Sequence, residues 1–270
     1  MSGKFRETEG SDGGQIGKQF LVALARDGTY VMEKIEQLDK LGVPYCIICG
    51  EKIDHPRVMY RRRMGKYDAI NYSLSVIPRE AEVIIYNDVD TRIADYKPLL
   101  RHLSDKSVGM VYAPVIVEGP QTAFYKIFNP IRGRIPLSAS GELMAIRRGL
   151  LESILPLKPC KAEDTYMMFK ALELGKRVVQ CDECPIPTKR TRESREEQQY
   201  KRRTVTGIYQ ALSYTKPPML TRFAYILLPI MSPLFLVLGT KGYYMAKGIL
   251  LGTLDYLRGD RKGTWNQENL

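Results

Sequence analysis

The chain lacks an apolar N-terminal segment. Its first eighteen residues, Met1 to Lys18, are polar and glycine-rich, which argues against a secretory signal peptide and reads as a disordered tail. The same stretch lacks a working phosphate loop: Asp12 stands where the first glycine is required, and Gln19 replaces the Ser/Thr that would hold magnesium. Cysteines are few, and their odd count of five argues against a secreted disulfide framework. Two C-x-x-C pairs occur, Cys46/Cys49 and Cys181/Cys184, but without zinc-ribbon spacing. In the apolar run Tyr45 to Cys49, side chains three apart point to opposite faces, which excludes shared ligation by the first pair. The second pair precedes Pro185 in an expected loop and could bind zinc or close a strained disulfide; incidental cysteines are the simpler reading. No recognition-helix or zinc-finger pattern is present, so no nucleic-acid partner is expected despite the basic clusters Arg61-Arg62-Arg63 and Lys189 to Arg203.

What is present fits a folded chain of 270 residues, 44% hydrophobic and 26% charged, able to bury a sizeable core. The net charge of +11 points to an anionic partner. Over the first 190 or so residues, strand-like and helix-like segments alternate. Strands are predicted at Gln19–Ala25, Val43–Cys49, Val58–Tyr60, Glu82–Asn87, Val108–Pro114 and Leu143–Ile146. Helices are predicted near Thr29–Leu41, Lys66–Val76, Asp95–Leu103 and Glu163–Leu174, the last ending at Gly175. This alternation implies an α/β fold with a mostly parallel central sheet flanked by helices, whose ligands collect at the carboxyl ends of the strands.

Composition then shifts. Phe223 to Leu238 is an uncharged, mainly apolar run that would extend about 24 Å as a helix, short of the roughly 30 Å of a bilayer core. A weaker apolar stretch follows from Tyr243 to Leu257, and cations flank both ends: Lys216 and Arg222 before, Arg258, Arg261 and Lys262 after. A single span would strand one basic cluster outside, so a re-entrant hairpin or in-plane helices in the cytoplasmic leaflet are expected, with a buried core helix as the alternative. The organisation read from sequence is a tail at 1–18, a catalytic-type domain at 19–215 and a membrane-associated helical segment at 216–270.

Chemistry concentrates at Tyr86-Asn87-Asp88-Val89-Asp90, where a hydrophobic run delivers two carboxylates spaced i, i+2. Such a pair can place one oxygen on Mg2+ or Mn2+ and leave the other for a ligand, though a solvated turn has the same composition. Four further segments follow a fixed order around it. Gly65-Lys66-Tyr-Asp-Ala69-Ile70-Asn71 opens a helix with a cation suited to a diphosphate. Ser140-Gly141-Glu142 through Arg147-Arg148 is a small-residue turn entering a strand, and Glu163-Asp164 are acids at a helix start. Gln199 through Arg202-Arg203 to Gly207 is basic.

In this order the segments resemble the family 2 glycosyltransferases, particularly the membrane-associated branch with cellulose and hyaluronan synthases. That family carries G-K-x-x-A-x-N, D-x-D, G-x-x-x-x-x-R-R, an E-D pair and Q-x-x-R-W. The resemblance implies an A-type, Rossmann-like nucleotide-sugar transferase fold, inverting chemistry and a divalent metal, Mg2+ or Mn2+. It implies that Asp88 contacts the nucleotide, Asp90 the metal, and that Lys66 lines the nucleotide pocket. By the same carry-over Asp164 is the general base with Glu163 beside it, and Arg202 and Arg203 meet the departing diphosphate. Gly141, Glu142 and Asn71 fall near the donor and acceptor sugars. Two departures stand out. No tryptophan follows Arg202, where Arg203 and Thr204 stand, which speaks against polymer synthesis. The aspartates that hold the nucleoside are missing, with Asp27 and Glu51 as candidate substitutes. The expected activity is transfer of one sugar from a nucleotide-sugar donor, UDP-linked by family resemblance, to a lipid or lipid-linked acceptor at the cytoplasmic face of a membrane bearing anionic lipids. A polyprenyl-phosphate acceptor is the alternative.

Overall fold

Apolar runs of five to seven residues build the centre of the computed structural model, which describes residues 17–117, 137–188 and 194–260. Residues 1–16 of the expected tail, 189–193 of the basic segment, and Arg261, Lys262 and Trp265 lie outside the described residues. Strands β1 (Gln19–Ala25), β2 (Tyr45–Cys49) and β4 (Val83–Asp88) are almost wholly buried, as strands covered on both faces must be. With β3 (Val58–Tyr60), β5 (Val108–Tyr112), β7 (Leu143–Arg147) and β8 (Arg177–Gln180) they form one sheet in the order β3-β2-β1-β4-β7-β5-β8. All neighbours run parallel except β7, which is antiparallel to both β4 and β5. A separate parallel pair joins β6 (Val115–Val117) to β9 (Ile186–Thr188).

Alternation along each strand divides the core into two layers. Phe20, Val22, Leu24, Ile84 and Tyr86 face α2 (Lys66–Ser73), α4 (Arg148–Ile154) and α5 (Glu163–Glu173). Leu21, Ala23, Val83 and Ile85 face α1 (Val31–Leu41) and α3 (Lys97–Leu103). Each fully buried aliphatic side chain contributes about 1.5–3 kcal/mol, so the sheet centre is the main source of stability. Cys46 and Cys49 fall into opposite layers, as their spacing predicts.

The expected end of one helix moves. Helix α2 stops at Ser73, three residues before Val76, because the Ser73 hydroxyl turns back to the Ile70 carbonyl and meets the Tyr86 hydroxyl. Helix α4 and strands β6, β8 and β9 add elements that periodicity did not reveal. They are three to seven residues long, and β8 is a half-covered edge strand.

Beyond the sheet, α6 (Ser194–Tyr214) leads to α7 (Met219–Met231), a 3-10 segment (Ser232–Leu238) and α8 (Gly239–Leu257). Met219 to Leu257 is long and apolar enough to cross a membrane by length and composition, and most of it is exposed, unlike a core helix. It is not one straight rod. Gly239 adopts φ +67°, where a side chain would be strained, and a Cβ on Gly242 would come within 1.6 Å of the Phe235 carbonyl. The chain therefore folds back as a hairpin. Helix α8 lies along α6: a Cβ on Gly248 or Gly252 would stand 2.5 Å from the Gln198 or Arg202 carbonyl oxygen. Asp255 pairs with Arg202 at 2.5 Å, and Asp260 with Lys161 at 2.6 Å. The other arm stays open to solvent, with Phe223, Ile226, Ile230, Leu234 and Val237 exposed.

This packing carries a prediction. Gly252→Leu forces backbone against backbone and should destabilise the protein by about 1–3 kcal/mol, read as a lower thermal midpoint. An unchanged midpoint would mean that α8 does not rest on α6.

Candidate functional site

Parallel pairing gathers three loop acids at one edge of the sheet. Leu24 pairs with Asp88 and Ala25 with Cys49, so Asp27, Glu51 and Asp88 follow adjacent strands at the same end. Because β7 runs the other way, its beginning lies there too: Asn87 pairs with Leu143, bringing in Gly141 and Glu142. The second half of that motif ends elsewhere. Arg147 donates to the carbonyls of Leu103 and Val108, and Arg148 to the Pro78 carbonyl, at the opposite end of the sheet.

Lys66 is the hub. Its ammonium lies 2.6 Å from Asp88, 3.3 Å from Glu163 and 3.3 Å from the Gly141 carbonyl oxygen. Gly141 is buried between Lys66 and Asp164: a Cβ there would stand 2.9 Å from Lys66 Nζ and 3.2 Å from Asp164 Oδ2. Asp88, Lys66, Gly141, Glu142, Glu163 and Asp164 therefore form one cluster, built from segments far apart in sequence.

Negative charge is in excess within the cluster. Burial, with Glu142 and Asp90 adding to it against Lys66, pushes Asp88 up to about 6. Burial and the neighbouring Glu163 push Asp164 up to about 7. Burial opposes the charge on Lys66, but Asp88, Glu163 and Asp164 outweigh it and hold the ammonium above the usual lysine range. Because the folded-state value of Asp164 lies above its ordinary 3.8, its ionisation costs folded stability as pH rises from about 4 to about 7. In metal-free protein, Asp164→Asn should therefore raise the thermal midpoint over wild type, by a gap that widens from pH 5 to pH 8. A gap that narrows over that range would reverse the assignment.

The turn carrying Asp90 is held from beneath by groups not singled out in the sequence. The buried Asn87 side chain donates to Thr91 Oγ1 at 2.9 Å and to the Glu142 carbonyl oxygen. Lys34 of α1, also buried, donates to Asn87 Oδ1 at 2.7 Å and to the Thr91 carbonyl oxygen. Burial lowers Lys34 to about 8, partly offset by Asp90 and Asp88. One signal could have found it: a lysine on the apolar face formed by Val31, Ile35 and Leu38. Asp90 itself is exposed beyond this staple.

Other expected residues are placed differently. Glu51 Oε2 accepts from the Gly28 N–H at 2.9 Å and Oε1 from Arg63, while Asp27 accepts from the Thr29 N–H at 3.2 Å. These two acids shape the neighbouring loop edge. Asn71, expected near the sugars, has its side chain engaged by the backbone of Leu157. Its amide donates to the Leu157 carbonyl at 3.0 Å and accepts from the Leu157 N–H at 2.7 Å, tying α2 to the loop before α5. Arg202, expected at the leaving diphosphate, clasps Asp255 of α8 through two hydrogen bonds. Arg203, next to it on α6, is also engaged by a partner. Helix α6 still touches the acids indirectly: a Cβ on Gly207 would lie 2.6 Å from the Ala162 nitrogen, just before Glu163.

The donor set suits a hard cation. Asp88, Asp90 and Glu142 offer only carboxylate oxygens and interact through their charges, and the ammonium of Lys66 does not by itself neutralise them. Mg2+ or Mn2+ fits such oxygens, whereas a thiolate-seeking ion does not.

No protein-family model and no curated protein sequence matches the chain. Among solved structures, it is similar to the mannosyltransferase PcManGT from Pyrobaculum calidifontis, in complex with GDP-Man and Mn2+. The two are 16% identical with a TM-score of 0.67, over 92% of this chain and 89% of that one. Weaker likenesses are TarS 1–349 of S. aureus (TM-score 0.46, 14% identity, 90% and 92% coverage) and a Drosophila galactosyltransferase 7 mutant in complex with manganese, UDP-Gal and xylobiose (0.38, 14%, 60% and 65%). The chain thus has the architecture of PcManGT: a mostly parallel, Rossmann-like sheet flanked by helices, with an apolar helical C-terminal segment.

Proposed function

We propose that the chain is an inverting, metal-dependent glycosyltransferase that moves one sugar from a nucleotide donor to a lipid or lipid-linked acceptor at a membrane surface. The observation that carries this is the Lys66 hub, which joins Asp88 at the end of β4 to Glu163 and Asp164 at the start of α5 within one cluster. Asp88 contacts the nucleotide, and Asp90, with Asp88 and Glu142, would hold Mg2+ or Mn2+. When bound, the ion supplies positive charge to the diphosphate. Lys66 adds a fixed ammonium to the same charge, in a partly dry site where it acts more strongly than in water. Asp164 takes the proton of the acceptor hydroxyl; its raised value keeps it basic enough for that task near neutral pH. A base on one side and a leaving diphosphate on the other correspond to inversion at the anomeric carbon. The fold shared with PcManGT, whose structure holds GDP-Man and Mn2+, supports the class. Asp27 and Glu51 line the edge where the nucleobase would sit. Arg202 anchors α8 in this reading.

The reading is tested by incubating the protein with UDP- and GDP-linked sugars, with Mn2+ or Mg2+ and with chelator. Metal-dependent consumption of one donor is expected. If no donor is consumed under either metal, the assignment fails.

The open arm of the hairpin supplies the membrane contact. Phe223, Ile226 and Ile230 are each more than half exposed, an apolar surface of the kind that marks an interaction site, and Arg222 and Lys216 stand beside it. Apolar insertion combined with cations suits the anionic cytoplasmic leaflet. Replacing Ile226 and Ile230 together by Asp should weaken co-sedimentation with phosphatidylserine vesicles at least about tenfold, from the lost apolar burial alone. Equal sedimentation of variant and wild type would remove the hairpin from the docking surface.

A further inference from the structure

The second C-x-x-C pair is not split between faces as the first is. β8 ends at Gln180, and the loop Cys181-Asp182-Glu183-Cys184-Pro185 turns both sulfurs inward, buried against α3 and 3.0 Å apart. The last turn of α3 brings His102 to the same point. His102 Nε2 lies 3.1 Å from Glu183 Oε2, and Cys181 Sγ lies 3.2 Å from that same oxygen. The ligand atoms of His102, Cys181 and Glu183 all fall within 4.8 Å of one another.

We infer that Cys181, Cys184, His102 and Glu183 form a binding site for a thiophilic divalent ion, zinc by preference, separate from the oxygen-only acids at the other loops. The donor chemistry selects the ion: two thiolates, one imidazole and one carboxylate suit tetrahedral zinc and suit magnesium poorly. Zinc bonds of about 2.3 Å to sulfur and about 2.0–2.2 Å to nitrogen and oxygen would set neighbouring donors roughly 3.3–3.8 Å apart. The His102–Glu183, Cys181–Glu183 and Cys181–Cys184 separations are slightly tighter, so each of these three pairs needs to open by less than about 1 Å, while Cys184, outside the 4.8 Å group of the other three, must swing its sulfur toward them. The sulfurs are buried while His102 and Glu183 reach solvent, which leaves a route for the ion. Binding exchanges two thiol protons for the metal. Its consequence is structural: the ion pins α3 to the loop after β8, the last strand of the sheet, which among the described residues pairs with β5 alone.

The test uses the full chain. Metal content is measured by mass spectrometry after purification under reducing conditions, and Co2+ is then titrated into the metal-free protein. About one zinc per chain and a sulfur-to-cobalt charge-transfer band are expected. That band reports thiolates, so an ion at the carboxylate cluster does not contribute to it. Cys181→Ser with Cys184→Ser should abolish the band. His102→Ala and Glu183→Gln, which keep both sulfurs and the fold they pack, should each weaken zinc affinity at least about tenfold. Absence of a band in folded wild type, or unchanged affinity in both single variants, overturns the site. A Cys181–Cys184 disulfide that persists under mild reductant, seen as the loss of two hydrogens in the intact mass, also overturns it in favour of a redox pair. Because no nucleotide sugar enters these measurements, failure here leaves the glycosyltransferase reading standing, and the reverse holds as well.

Discussion

Asp90→Ala is expected to lower donor consumption about a thousandfold, with little change in thermal midpoint, because a lost metal contact at a developing charge is worth several kcal/mol. The second half of that expectation follows from the structure. Asp90 is exposed, and the turn beneath it is held by Asn87, Thr91 and Lys34 independently of its carboxylate. Activity and stability should therefore separate at this position. At Asn87 they should fall together, since its removal takes one hydrogen bond each from the buried Lys34, from Thr91 and from the Glu142 carbonyl. Excess Mn2+ should partly restore Asp90→Ala if Asp88 and Glu142 keep residual affinity. A variant with near-normal turnover, measured as nucleotide release at saturating donor, would remove the metal from this turn.

Asp164→Asn is the second large effect. As a general base it should contribute on the order of 10²–10⁴ in kcat with a hydroxyl acceptor. Wild-type activity should fall as pH drops through about 7, because Asp164 must be ionised to accept the proton and burial with Glu163 holds it up to about 7. That acid limb should vanish in the variant. If the acceptor is already an anion, as a polyprenyl phosphate is, no proton need be taken and the variant should turn over almost normally. Rates with the two acceptor types, measured across pH, distinguish these cases in one experiment.

Much of this arrangement is legible in the amino-acid order. The buried runs Phe20–Ala25, Tyr45–Cys49 and Val83–Tyr86 have no amphipathic period, so each has to lie inside a covered sheet, and their order places Asp27, Glu51 and Asp88 at one edge. Motif order also brings Lys66, Asp88, Gly141 and Asp164 together, as the structure does. Partners across long separations are what local sequence conceals. Arg202 reads as a basic residue awaiting an anion, and nothing local reveals that Asp255, fifty-three residues on, satisfies it. Asn71 is similar: an exposed-looking amide within a helix gives no hint that Leu157 uses both its ends. Lys34 escapes notice because a lysine in an amphipathic helix ordinarily faces water, and only the Asn87–Thr91 turn above it explains its burial.

The reversed strand β7 has a consequence for how such a molecule can diversify. β5 leaves the ligand edge at Tyr112 and β7 returns to it at Leu143, with Tyr112 and Met144 in register. The chain that joins them leaves and rejoins the sheet at the same rim. A change of its length between residues 117 and 137 leaves the register of β5 with β7 as it is, and it enters the sequence ahead of Gly141 and Glu142. Under the proposed activity, a new acceptor can therefore be accommodated by varying one connection while the acids at the end of β4 and the start of α5 keep their places.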